Sequence, residues 1–104
     1  MPGRVPTIRV RAKKKAKLGK PLKIRWKPKI AGGLDAIAGY DVLLSRDGGA
    51  TFPELLATGL SASVRKLKWI ATGAATDTAA VQVVVWTSAF QRAADTSRTV
   101  RILP

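Results

Sequence analysis

Few residues in this chain can do acid–base or nucleophilic chemistry. Its 104 residues include no cysteine and no histidine. That removes Ser-His and Cys-His nucleophile pairs, and the common zinc ligand sets with them. Six carboxylates remain, at Asp35, Asp41, Asp47, Glu54, Asp77 and Asp95. A pair of them could serve glycoside hydrolysis, but several stand beside Gly, Pro or Thr, as turn residues do. The expectation is a non-enzymatic chain with no catalytic residue, no metal site and no cofactor.

Fixed positive charge, by contrast, is abundant: 19 Lys and Arg against 6 acids, a formal net charge of +13. Twelve of the nineteen bases lie between Arg4 and Lys29, a stretch without a single acid. The remainder carries seven bases and six acids and is nearly neutral. Such imbalance points to a polyanionic partner or to a segment that stays solvated.

The elements that must position these charges are strands. With 46% hydrophobic and 24% charged residues the chain can build one core, and by size scaling it should bury about 60–65% of its unfolded surface. No run approaches the roughly 18 apolar residues of a spanning helix, so no transmembrane segment is expected. The basic N-terminus is not followed by an apolar stretch, and no export signal is visible. We expect one domain over 1–104, with 1–6 as an N-terminal extension. Alternating segments broken by Gly, Pro, Asp or Thr predict seven strands, at 7–11, 22–27, 40–46, 55–58, 64–70, 79–87 and 97–103. Between the third and fourth, Asp47-Gly48-Gly49 supplies residues that enter the positive-φ wells of a hairpin turn.

Alternation in the second strand is clean, with Leu22, Ile24 and Trp26 on one face and Lys23, Arg25 and Lys27 on the other. If the first, second and fifth strands share a sheet, then Arg9, Arg11, Lys23, Arg25, Lys27, Lys66 and Lys68 form one cationic face. Lys13, Lys14, Lys15 and Lys17 in the following connection, together with Lys20, are expected to continue it. This face could simply confer solubility and protect an edge strand. Its lack of interleaved acids favours docking on phosphate, sulfate or carboxylate groups of a polymer. Nucleic acid is a less favoured polymer, because the face carries no aromatic residue for base stacking and the chain no nucleic-acid motif.

The second sheet is expected to bury Tyr40, Val42, Leu44, Val81, Val83, Val85, Val100 and Ile102. Leu43, Val84, Trp86 and Leu103 then lie outside, as a surface for a protein partner or a second copy. The sixth strand is apolar on both faces, so a slip of one residue would instead bury Val84 and Trp86. The loops 31–39, 73–78 and 90–96 are small and polar and show little sign of a recognition site.

Two motifs carry a resemblance. Ser45-x-Asp47-x-Gly49-x-Thr51-Phe52 resembles the Asp-box hairpin, Ser-x-Asp-x-Gly-x-Thr-Trp, with Phe52 in place of Trp. That box recurs in sialidase-like propellers, which need several copies at a fixed period, and in small sandwich modules. One copy indicates a sandwich hairpin. Trp26 followed by Pro28, then Tyr40-x-Val42, is similar to the fibronectin type III pattern of a Trp packing near a Tyr of the next strand. Val81-x-Val83-x-Val85 is similar to a later strand of that family, with Ala79-Ala80 where an aromatic usually starts it.

The resemblance covers residue 6 to the end. It implies an all-β, seven-strand antiparallel sandwich of the fibronectin type III or immunoglobulin-like class, as found in bacterial secreted or surface proteins. Such modules are spacers, adhesive units or appendages, which implies an extracellular or cell-surface location. Membership by itself implies no chemistry. The function expected is structural or binding, the alternatives being a small basic nucleic-acid-binding protein and an accessory domain of a secreted hydrolase.

Overall fold

The computed structural model describes residues 6–30, 37–88 and 91–104. Its strands are β1 (Thr7–Ala12), β2 (Lys15–Lys17), β3 (Pro21–Lys29), β4 (Ile37–Ser45), β5 (Glu54–Leu60), β6 (Lys66–Ile70), β7 (Thr76–Thr87), β8 (Arg92–Thr96) and β9 (Val100–Leu103). The described residues contain no helix, and hence none long and apolar enough to cross a membrane. The fold is all-β. One sheet has the order β1-β3-β6; the other runs β2-β9-β7-β4-β5, with β8 also paired to β7.

Both sheets turn an apolar face to one core, in a β-sandwich-like arrangement. Ile8, Val10, Leu22, Ile24 and Trp26 from the first sheet meet Tyr40, Val42, Leu44, Val81, Val83, Val85, Val100 and Ile102 from the second. The rings of Trp26 and Tyr40 lie 5.5 Å apart and tilted by 54°, within the separation at which aromatic pairs attract. The Tyr40 hydroxyl donates to the Ala62 carbonyl at 3.0 Å and accepts from Arg65 Nη1 at 2.9 Å. One buried side chain thus ties β4 to the turn before β6.

β3 runs two residues past the expected end, through Pro28 to Lys29. Proline is tolerated there for a local reason. Trp26 N–H points to the β6 side, where it donates to Arg65 O at 3.0 Å. Pro28 has the same orientation two residues later, beyond the last β3–β6 pair, so its missing N–H breaks no ladder bond.

Several expected boundaries are corrected. The segment 90–96, read as loop, contains β8, which pairs with β7 from Gln82↔Thr96 to Trp86↔Arg92. The last expected strand, 97–103, is strand only from Val100, as β9, and residues 97–99 break it from β8. There Ser97 exchanges bonds with Val81, its N–H donating to the carbonyl at 2.7 Å and its hydroxyl accepting from the Val81 N–H at 3.0 Å. A side chain replaces the missing ladder partner. β7 starts at Thr76, inside the expected 73–78 loop, and β6 starts at Lys66. Pro6, placed in the extension, is fully buried. Most of the 31–39 loop lies outside the described residues, but Ile37–Gly39 belong to β4. Gly39 is needed there, because a Cβ would come within 2.8 Å of the Leu60 carbonyl oxygen.

Tyr40 is the only tyrosine in the chain, and burial raises its pKa above the ordinary 10.0 against a lowering pull from Arg65. The folded state then holds the phenol proton more tightly than the unfolded chain, so its contribution is intact below pH 10 and is lost as pH rises further. Tyrosinate absorbance should titrate above 10.0 in the native protein and return to that value in denaturant. Coincident curves would show that the phenol is solvated.

Candidate polyanion-binding face

Strict alternation in β1 and β3 puts each apolar side chain inside and each cation outside. The ladder then sets the cations beside one another. Arg9 stands opposite Lys27, Arg11 opposite Arg25, Arg25 opposite Lys66, and Lys23 opposite Lys68. All of these, and Lys29 opposite Thr7, are exposed. Lys13, whose N–H donates to Lys23 O at 3.3 Å, extends the array by one row. Rows repeat about every 6.8 Å along a strand and about 4.8 Å across strands.

Among the described acids only Asp95 reaches the edge of this face, bonded to Val10 beside Arg9 and Arg11. Every described carboxylate lies on or beside the six-stranded sheet, and each makes a structural bond. Asp41 accepts from Thr58 Oγ1 and the Gly59 N–H at 2.8 and 2.9 Å. Glu54 takes two bonds from Arg46, at 2.6 and 3.0 Å. Asp77 pairs with Arg101 at 3.2 Å, and Asp95 accepts the Val10 N–H at 2.8 Å. Asp47 organises the hairpin turn, accepting from Ser45 Oγ at 2.5 Å, from the Thr51 N–H at 3.0 Å and from the Thr51 hydroxyl. The Ser45 hydroxyl first, then Thr51, hold its carboxyl well below the usual carboxylate range. Asp35 lies outside the described residues. Among those residues the ion pairs are Arg46–Glu54 and Arg101–Asp77, and neither involves a cation of the β1-β3-β6 face.

Lys15 and Lys17 are a correction. The chain crosses from one sheet to the other at Lys13–Lys14, and β2 pairs in parallel with β9. Ala16 is buried in the common core, so Lys15 and Lys17 point outward from the six-stranded sheet, on the far side of the molecule. Lys14 sits at the crossover, in a groove of about 510 Å³ shared with Arg9, Arg11, Asp95 and Arg98. Lys20 is exposed in the turn before β3.

Sequence reasoning missed Lys29 and Arg98. Alternation continuing through Pro28 was the available signal for Lys29; Arg98 had none, because the break between β8 and β9 places it.

On the other sheet, Val81, Val83 and Val85 are fully buried, which settles the phase of β7. Leu43, Val84 and Trp86 face outward and are half-buried. The Arg92 guanidinium, 5.7 Å from the Trp86 ring centre, covers part of that ring. Leu55, 57% exposed, pairs with Leu43. Leu103 does not join this patch: its neighbour Ile102 pairs with Thr76, about 33 Å along β7 from Trp86. Comparison with protein-family models, curated proteins and solved structures finds no match to this chain.

Like charges directly opposite in a ladder are destabilising by roughly 0.2–1 kcal/mol per pair. Arg25 is flanked by two of them. Arg25→Glu should therefore raise the denaturation midpoint of the free protein at low salt, and the gain should fade by about 1 M salt. A lower midpoint at low salt would show that the opposed cations do not repel.

Proposed function

We propose that this chain is a non-catalytic binding module whose β1-β3-β6 face docks on an anionic polymer. The segregation of charge between the two sheets carries this reading. A face kept wet merely for solubility mixes signs, and one acid opposite Arg25 or Lys23 would relieve repulsion. An approaching polyanion relieves the same repulsion and releases its own counterions. The face is built on paired strands rather than loops, so its charges are held in fixed rows.

We assign the fold to the fibronectin type III or immunoglobulin-like class. Support comes from the Trp26–Tyr40 contact across the core, the first, second and fifth expected ribbons in one sheet, and a single Asp-box-like turn closed on Asp47. In this reading β8 and β9 are two halves of a seventh ribbon, and β2 is a short sheet-switching segment of the first. A spacer or adhesive unit of a bacterial surface or extracellular assembly fits such a module. Self-association through Leu43, Leu55, Val84 and Trp86 is a second reading, favoured by the exposure of Leu55 beside Leu43.

Binding to dextran sulfate should weaken by about three orders of magnitude between 50 and 200 mM salt if about six charges are neutralised. Salt-insensitive binding, or none at low salt, would contradict the electrostatic docking. Trp86→Arg should leave the fold intact and lower the apparent mass of any dimer seen by light scattering. An unchanged dimer would remove the second reading.

A further inference from the structure

The cationic face is not uniformly rough. Two clefts open along the line where β1 pairs with β3. One, of about 280 Å³, is lined by Arg11, Ala12, Lys13, Lys23 and Arg25. The other, of about 530 Å³, is lined by Thr7, Ile8, Arg9, Lys27, Pro28 and Lys29. Every charged side chain in both is a cation. Neither cleft includes a β6 residue, so Lys66 and Lys68 flank the line rather than form it. The cleft centres are four residues apart on β1, about 14 Å along the strand.

Resting on the polyanion reading, we propose that the face holds a flexible glycan bearing sulfate or phosphate esters, laid lengthwise between β1 and β3. Its oxyanions seat in the two clefts. Three or four cations surround each seat, with arginine in both, and the guanidinium fork matches a tetrahedral oxyanion through paired hydrogen bonds. The two seats lie on one line along the β1–β3 pair, a shallow trough that a single extended chain can follow.

Duplex DNA with one strand laid along this line fits poorly. Successive phosphates on one strand rise about 3.4 Å and turn by roughly 35°. Over 14 Å the strand therefore rotates by about 140°, which carries its phosphate off a flat face before the second cleft is reached. Single-stranded nucleic acid would need a stacking platform, and Trp26 and Trp69, the tryptophans of this sheet, alternate inward with the core residues.

The experiment compares two double variants that each remove two charges, Arg25→Gln/Lys27→Gln in the trough and Lys66→Gln/Lys68→Gln beside it. Binding is measured by calorimetry at constant salt to size-defined sulfated oligosaccharides, to phosphorylated oligosaccharides of matched length, and to a 20-base-pair DNA duplex. All four positions are exposed, and unchanged melting curves confirm folding.

The trough variant should lose about tenfold or more against the sulfated or the phosphorylated sugars, and the flanking variant about two- to threefold. The sugar series that shows this difference identifies which ester the clefts take. Affinity should climb with oligosaccharide length until a chain spans both clefts, at about 20 Å, and then level off. Equal losses in both variants, with wild-type binding intact, would overturn the trough while leaving polyanion docking in place. Tighter binding to the duplex than to either sugar would overturn the glycan assignment. No binding to any of these probes at low salt would remove the underlying reading as well.

Discussion

Everything on this surface follows from the burial of one side of β3. Leu22, Ile24 and Trp26 must enter the core, and burying each large apolar side chain is worth roughly 1.5–3 kcal/mol. Since a strand alternates, Lys23, Arg25, Lys27 and Lys29 must then face out. The same constraint on β1 and β6 orients their cations, and antiparallel pairing sets the three rows in register. The resulting repulsion, at roughly 0.2–1 kcal/mol for each opposed pair, is smaller than the burial that imposes it. The fold can therefore hold a concentrated positive plane without losing the core beneath it.

Sheet switching limits that plane. Residues 4–29 are acid-free, yet they do not form one surface, because the chain leaves the β1-β3-β6 sheet after Lys13 and adds β2 to the edge of β9. Lys15 and Lys17 are carried to the opposite face by this step. A linear count of charge thus overstates the docking surface, whereas the ladder register defines it.

Much of this arrangement was legible in the sequence wherever side chains alternate between large apolar and charged. β1, β3 and β6 and their cations could be read directly, as could the turn at Asp47-Gly48-Gly49, where two glycines take positive φ of 77° and 93°. Reading failed where pairing overrides composition. Ala93, Ala94 and Asp95 have weak strand preference, and β8 exists because β7 offers a free edge and Asp95 reaches the Val10 N–H. Pro28 looked like a strand end, but it faces an edge that needs no donor. The three residues of β2 are too short to show a period. The separation of Leu103 from Trp86 is likewise a property of register, which no local pattern states.

The central claim is that one sheet face, and not overall charge, makes the contact. Backbone amide shifts recorded by NMR during titration with a sulfated oligosaccharide test this most directly. Perturbed amides should fall in β1, β3 and β6, with β2, β4, β5 and β9 undisturbed. Shifts spread evenly over every lysine and arginine, or centred on Lys15, Lys17 and Arg101, would contradict the account.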